Sequence, residues 1–511
     1  MPEAPPAPTE RPPRWAKVID HESCIGCHAC STACKSENEV PLGVNRTYVK
    51  YVDVGLFPET RRAFQVTRCN QCADSPCTTA CPTRAMYRRP DGIVDFDKSI
   101  CIGCKACIAA CPYDAIFINP EDHSAEKCNF CAHRIDVGLE PACVTVCPTE
   151  AIVVGDLDDT GSRVAHLVNR EPVSVRRPEK ETRPKLFYRG AHQATLDPLA
   201  AARPPGGLFL WSEQTAGPGR VVSGHPGRPS SAAEAVLAYD VPHKMPWDWR
   251  VSLYTLTKGI AAGAYFVMLL LTLVGALDPA GPLSGWGAAT LGLLFLGATG
   301  GLLIWDLEHP ERFYLIFTRP HWRSWLVKGA FVIAAYSLVL VADVGAHLLE
   351  MPVARSALVL PGLALSALTA VYTAYLFAQA KARDLWQSPL LPPHLLVQAV
   401  LAGAAALLPA AVWVEPAAVP ALTWTLAVAS LVHLLMVAGE VTLTHPTAHA
   451  RLAAHEMVSG RFRVWFWSGL LLAAAACTAP WMGPWAALPA LAGLFAFEHA
   501  WVQAGQAVPL A

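Results

Sequence analysis

The apolar positions of this chain fall into two regimes. From about residue 250 onward, Ala, Leu, Val and Gly run together in long stretches. A membrane-spanning helix needs about 20 consecutive apolar residues. Eight stretches meet that length, at roughly 252–276, 285–305, 325–349, 356–380, 392–414, 420–443, 463–482 and 485–507. Before residue 250 the apolar runs are short. "GIVDFDKSI", "AIFINPED" and "AIVVGDLDD" read as short strands and turns. Residues 1–13 predict a disordered Pro-rich tail. Residues 14–155 predict a cysteine-rich domain, and 246–511 a membrane domain. Between them, 156–245 mixes Pro, Gly and charge ("VRRPEKETRP", "ARPPGGLF", "GHPGRPSSAAEA"). It predicts an extended connector with little core of its own, packed across one half of the chain or a partner.

Composition agrees with lipid. Hydrophobic residues make up 53% of the 511 residues and charged ones only 16%, where a soluble chain carries about a quarter. Net charge is −1, so no basic excess points to nucleic acid. Eight spans put both ends of the membrane domain on one side. Loops on that side hold Lys244, Arg250, Arg312, Arg319, Arg323, Lys328, Lys381, Arg383, Arg451, Arg461 and Arg463; the opposite loops hold only Arg355. The positive-inside rule then places the cysteine-rich domain in the cytoplasm, on the inner membrane. The N-terminal stretch reads as neither a secretory nor a twin-arginine signal.

Of 17 cysteines, 16 lie between Cys24 and Cys147. Dense cysteine without an export signal favours metal over disulfides. They form four groups: Cys24, Cys27, Cys30, Cys34; Cys69, Cys72, Cys77, Cys81; Cys101, Cys104, Cys107, Cys111; and Cys128, Cys131, Cys143, Cys147. The first and third read C-x2-C-x2-C-x3-C, the bacterial ferredoxin spacing. Three thiolates on one tight loop cap three irons of a cubane, and the fourth points at a different cluster. Pro82, Pro112 and Pro148 follow the last cysteine of three groups; Lys35 stands there in the first. Sixteen thiolates at four per cluster predict four 4Fe–4S clusters. Zinc sites match a single C-x2-C but seldom this repeated spacing. The fold class predicted is an α+β ferredoxin-like domain of tandem dicluster units, followed by an all-α eight-helix transmembrane bundle. Cys477, in an apolar span, reads as a buried inert thiol.

Residues 15–190 resemble the four-cluster electron-transfer subunit of the dimethyl sulfoxide and polysulfide reductase families. All four groups match its spacings, including the long gap from Cys131 to Cys143. Residues 245–511 resemble the NrfD or polysulfide-reductase membrane subunit. "TKGIAAGAY" (Thr257 to Tyr265) and "DLEHPERFYLIFTRPHWRSWLVKGA" (Asp306 to Ala330) carry that likeness. The resemblance implies shared ligands. Cys24, Cys27, Cys30 and Cys147 hold one cluster; Cys34, Cys128, Cys131 and Cys143 the next. Cys69, Cys72, Cys77 and Cys111 hold a third; Cys81, Cys101, Cys104 and Cys107 the fourth. It also implies a quinone site in the membrane half and a separate molybdenum- or tungsten-pterin catalytic subunit, for which this chain has no room. Quinone oxidation or reduction is then the only chemistry expected in this chain, with menaquinone or ubiquinone as exchangeable substrate.

A quinone site needs donors for two carbonyls and an apolar slot near the clusters. Tyr254 and Lys258, at i and i+4, share a helix face. The loop from Asp306 adds Asp306, His309, Arg312 and Tyr314; an ion pair of Asp306 or His309 with Arg312 is the plain alternative. Trp247, Trp249, Trp322 and Trp325 suit an interfacial belt. Deeper ionisable residues are costly in lipid and often functional. Asp343, His433, Glu440, Glu498 and His499 are candidates for a proton path, against the reading that Asp343, Glu440 and Glu498 reach water at span ends. Haem at His433 needs a facing histidine, which neither His347 nor His499 clearly supplies. His445, His449 and His455 read as a solvated loop. The expected role is an electron-transfer and quinone-reactive membrane subunit. Its rivals are a place in a larger quinol-oxidising or hydrogenase-type complex, or a membrane anchor and relay without a quinone site.

Overall fold

The computed structural model describes residues 11–202 and 234–511, in two compact units. The first comprises 11–202, 234–243 and 509–511; the second is Lys244–Val508.

In the first unit, the strands are β1 (Trp15–Asp20), β2 (Thr47–Val54), β3 (Arg61–Arg68), β4 (Met86–Arg88), β5 (Val94–Phe96), β6 (Ile116–Ile118), β7 (Ala125–Lys127), β8 (Ile152–Asp156), β9 (Val173–Ser174), β10 (Leu186–Arg189) and β11 (Val236–Tyr239). One sheet has the order β8-β1-β10-β9, with β1 parallel to β10 and antiparallel to β8. A second has the order β11-β2-β3. Two short antiparallel ribbons, β4–β5 and β6–β7, complete the set. Ala16, Val18 and Ile19 of β1 are fully buried, so the strand is central. The ribbons enclose a core of cysteines with Met86, Val94, Ile108, Tyr113 and Ile116. Thiols take the place that aliphatic side chains fill in an ordinary core.

The expectation for 156–245 needs correction over its described part. Residues 163–170 form a helix, and β9, β10 and β11 all lie in sheets. Leu186 and Tyr188 of β10 are buried against Ile19, Cys30 and Cys143. Prolines and charges mark the turns between these elements, and their strands are too short to show a period in sequence. Residues 1–10 and 203–233, within the expected tail and connector, lie outside the described residues.

The second unit is helical: α1 (Trp249–Leu273), α2 (Leu283–Trp305), α3 (Trp325–Leu348), α4 (Pro352–Gln379), α5 (Leu391–Val414), α6 (Pro416–Thr442), α7 (Ala448–Val458), α8 (Arg463–Ala476) and α9 (Ala487–Gln506). Among the described residues, α1 to α6 are long and apolar enough to cross a membrane. The last two expected spans form one broken pair, Arg463–Ala476 and Ala479–Gln506, so the count is six or seven instead of eight. With only 14 residues, α8 reaches about 21 Å, short of a bilayer core of about 30 Å.

Of these helices α1 and α5 are the most enclosed. They cross with backbones touching: a Cβ on Gly263 would lie 1.7 Å from Ala399 O, and one on Gly403 would lie 2.1 Å from Gly263 C. Small residues permit this approach, the usual route to tight helix association in lipid. The stretch with His449 and His455 is helix α7, not a loop. Thr447 starts it by accepting from Ala450 N at 3.1 Å, and alanines sustain it.

Candidate functional site

The first C-x2-C pair of each group turns through a left-handed residue. The residue before the second cysteine has positive φ in all four groups: Gly26 (69°), Gln71 (47°), Gly103 (68°) and Phe130 (67°). This conformation reverses the chain within a few residues, so both thiols face one centre. Glycine adopts it freely; Gln71 and Phe130 are held there by their side chains. Gln71 Nε2 donates to Cys128 O at 2.8 Å, and its Oε1 accepts from Val94 N at 2.7 Å. Phe130 is buried beneath Lys17, whose Nζ lies 4.1 Å from the ring centroid.

One-turn helices follow. In Pro76–Ala80 and Ala106–Ala110 the capping Cys81 and Cys111 are already extended, with ψ of 119° and 113°, as a residue before proline must be. The first group has Lys35 instead of proline, and its helix runs on from Ala29 to Glu37 with Cys34 inside it. Lys35 Nζ then donates to Pro41 O at 2.9 Å and to Val44 O at 2.5 Å.

The thiols meet in four sets. Cys24 has Cys30, Cys147 and Cys27 as neighbouring thiols. Cys34 has Cys128, Cys143 and Cys131. Cys77 has Cys69, Cys111 and Cys72. Cys107 has Cys104, Cys81 and Cys101. Successive sets adjoin through Cys30 and Cys143, Cys69 and Cys128, and Cys77 and Cys107. The four sets therefore stand in a row. The first is the most open to solvent, with Cys27 exposed and Cys24 and Cys147 half-buried.

Among the described residues no three His, Cys, Asp or Glu side chains close on one metal-ion position. Four thiols per set is the donor complement that a 4Fe–4S cluster takes. Met86 N donates to Cys81 Sγ at 3.3 Å and Ala125 N to Cys101 Sγ at 3.4 Å, bonds that tune iron–sulfur potentials. Arg68, fully buried, donates to Cys143 Sγ at 3.0 Å, while its Nε and Nη2 have no hydrogen-bond partner among the described residues. A cluster held by this set would offer inorganic sulfides as acceptors for those donors. Burial pushes the Cys143 thiol up, but the charges of Lys17 and Arg68 outweigh it and bring the thiol down to about 7. Burial instead pushes Cys72, without such a cation, up to about 12. A charge network fixes the second set: Arg46 Nη1 donates to Asn38 Oδ1 at 2.7 Å, and Arg46 Nε pairs with the buried Glu126 at 2.7 Å.

In the membrane unit the candidates divide between the two ends of the bundle. Near the basic loops, Tyr254 and Lys258 are buried in α1. Lys258 Nζ donates to Ala370 O at 2.7 Å and Thr373 Oγ1 at 2.9 Å. Tyr254 lies beside Tyr372, Thr373, Asp306 and Glu498, with its hydroxyl buried. Glu498 accepts from Thr255 Oγ1 at 2.9 Å and faces Lys258. Close by, His394 Nε2 and His433 Nδ1 are 2.9 Å apart, His394 Nδ1 is 4.0 Å from Glu440, and Trp501 Nε1 donates to Glu440 at 2.9 Å. Direct bonding between the two rings leaves no room for a haem iron between those nitrogens. His309 and Arg312 both reach Glu311, at 3.0 and 3.7 Å, and Tyr314 is exposed. Asp306 is buried.

Asp343 does not join this group. At the other end of α3 it pairs with Arg355 at 3.5 Å. His499 contacts Ser252 Oγ at 3.2 Å and packs at a tilt against Trp465. Asp343, Glu440 and Glu498 are all buried, so they do not reach water as span-end residues. Cys477 is half-buried and donates to Ala473 O at 3.6 Å. Arg383, read as a loop charge, is buried and donates to Gln506 O at 3.0 Å and Val508 O at 3.2 Å. Sequence reasoning missed His394, Gln398 and Thr373. The signal for the first two is there: polar residues at i and i+4 in the apolar run "HLLVQAV".

Two families match the chain: the 4Fe–4S dicluster domain over residues 60–157 and the polysulphide reductase NrfD domain over 240–479. A tetrathionate reductase subunit of Salmonella typhimurium is 41% identical over 204 residues, 39% of this chain and 80% of that protein. A polysulfide reductase polypeptide of Wolinella succinogenes is 41% identical over 177 residues, 34% of this chain and 93% of that one. Protein NrfC of Escherichia coli K12 is 41% identical over 177 residues, 34% of this chain and 79% of that protein. The chain therefore belongs to the family of 4Fe–4S electron-transfer subunits to which these relatives belong, joined in one multi-pass membrane polypeptide to an NrfD domain.

Proposed function

We propose that this chain relays electrons between a molybdenum- or tungsten-pterin catalytic partner and the quinone pool through four 4Fe–4S clusters. The observation that carries the reading is the row of four cysteine sets, each adjoining the next. In this reading the ligand sets are Cys24, Cys27, Cys30, Cys147; Cys34, Cys128, Cys131, Cys143; Cys69, Cys72, Cys77, Cys111; and Cys81, Cys101, Cys104, Cys107. The bound clusters supply one-electron transfer. The protein sets position, burial and charge around them, and substrate chemistry belongs to the partner.

For quinone, the reading takes Tyr254, Lys258 and Asp306 as the carbonyl site, with His309, Arg312 and Tyr314 at its approach. The support is the buried Tyr254 side chain beside Asp306 and Glu498. The membrane is the cytoplasmic one and the cluster unit lies on its cytoplasmic side, by the charge bias of the loops. Here α8 and α9 act as a hairpin: Trp465 contacts His499 at 4.7 Å and Phe495 at 6.2 Å between ring centroids, and Gly469 abuts Phe497. A re-entrant hairpin after six crossings returns the chain to the side it left, so both ends of the membrane unit share one side.

The test is to purify the full chain anaerobically, add a menaquinol analogue, and follow the clusters by EPR. Cluster reduction that is lost in Tyr254→Phe and Asp306→Asn supports the site. Clusters that dithionite reduces but quinol does not, in the wild type, support the anchor-and-relay reading instead.

A further inference from the structure

Two lysines of the cluster unit are buried where a charge is costly. Lys17, in β1, is 2% exposed, and Lys127, in β7, is 0% exposed. Among the described residues neither pairs with a carboxylate. Lys17 Nζ lies 3.8 Å from Cys143 Sγ. Lys127 Nζ donates to Val94 O and, at 3.2 Å, to Cys128 O. Glu126, the buried carboxylate beside it in β7, is already matched by Arg46 at 2.7 Å and Lys98 at 2.9 Å. An ammonium so deeply buried calls for another anion.

The thiols around each lysine show where that anion lies. Lys17 faces Cys143 and Cys131 of the second set and Cys69 of the third. Lys127 faces Cys69 and Cys77, both of the third. Lys17 is therefore shared by two adjoining sets, and Lys127 belongs to one. Arg68 adds a further buried cation on the second set and reaches the first through Cys30. The lysines nearest the fourth set in sequence, Lys98 and Lys105, are partly exposed, where water and salt screen them. We propose that Lys17 and Lys127 make the second and third clusters a two-electron store, the adjoining pair that is reduced first and holds one electron each.

This inference rests on the four-cluster reading above. A cluster held by four thiolates is an anion, and it gains one negative charge on reduction. Two reduced neighbours repel, which by itself drives the second electron to a more distant cluster. A buried cation shared between them offsets that repulsion, because little water screens either interaction. Oxidation of one quinol breaks two O–H bonds and releases two protons and two electrons. The pair takes both electrons, one per cluster, so the quinol completes its oxidation without waiting for turnover at the catalytic partner. In the opposite direction the pair holds both electrons until a quinone takes them up with two protons.

The test is an anaerobic redox titration of the full chain, poised with dithionite and mediator dyes and followed by EPR, with iron measured per chain. At two electrons per chain the wild type is expected to give signals split by magnetic interaction between adjoining clusters. Lys17→Met should lower the reduced-to-oxidised ratio of both clusters at least tenfold at a given potential, about 59 mV for one electron. Lys127→Met should lower that of one cluster only, and Lys17→Arg should restore the wild-type titration. Sharp, non-interacting signals in the wild type at two electrons overturn the store, whether or not a variant keeps its iron. So does a Lys17→Met chain that titrates as the wild type does. Either result leaves the four-cluster reading standing. A fully reduced wild type with fewer than four spins, and iron for fewer than four clusters, overturns both.

Discussion

Arg68 donates from Nη1 to Cys143 Sγ across 3.0 Å, and both residues are buried. A fixed cation at that distance, with little water to screen it, stabilises the more negative, reduced state of a cluster. Arg68→Met should therefore lower the potential of the second cluster and leave the fourth unchanged. An EPR-monitored redox titration of both proteins reads the shift. An upward shift would sink the assignment of Arg68 to that cluster.

The left-handed turns predict a local loss of iron. Gly26 has φ 69°, and a Cβ there would lie 2.4 Å from the Phe64 ring. Gly26→Ala meets both a backbone cost of order 1–3 kcal/mol and a clash. It should lose the first cluster and roughly a quarter of the iron. Gly138 is also left-handed, at 76°, but has nothing within 4 Å of the added Cβ. Gly138→Ala should keep its full iron content, measured per chain by colorimetric assay.

His243 sits between two carboxylates. Its Nδ1 pairs with Asp114, and its Nε2 lies 3.1 Å from Asp240. Burial pushes the imidazole down, but Asp240 and Asp114 outweigh it and raise it to about 10. A raised folded-state value stabilises the fold fully below the unfolded value of about 6.5. That stabilisation falls as pH climbs from 6.5 and is gone beyond 10. The melting temperature of the wild type should exceed that of His243→Gln at pH 6.5, and the gap should close by pH 10. A constant gap would mean that charge plays no part.

The α1/α5 crossing predicts intolerance of a single methyl group. Gly263→Ala would set a Cβ 1.7 Å from Ala399 O, where backbone and not a flexible side chain must yield. Overpacking costs of order 1–3 kcal/mol even in softer sites. The variant should aggregate in detergent or melt at lower temperature than the wild type, by fluorescence-detected size exclusion. Gly297→Ala, with nothing within 4 Å of its added Cβ, should behave as the wild type does.

Much of the cluster unit was legible in the residue order, because cysteine spacing acts locally. C-x2-C sets a tight turn, x3 a turn of helix, and a following proline ends it. Lys35 instead of proline told of a departure, which the structure displays as a helix extended to Glu37. The apolar runs likewise announced α1 to α6, since length and composition suffice for a span. They overcounted at the end, because apolar composition does not reveal that α8 stops at Ala476.

What tertiary structure alone decided is which distant groups meet. Arg68 ends a hairpin strand, and only the packing of β2 and β3 against the sheet brings it to Cys143. Thr373 carries no signal of its own in the sequence; the packing of α4 against α1 gives it to Lys258. His394 and His433 sit on different helices, and no local pattern pairs them. Local spacing fixes dihedrals and the direction of a thiol; contacts between remote segments arise from burying whole faces against one another, and those are set by the fold.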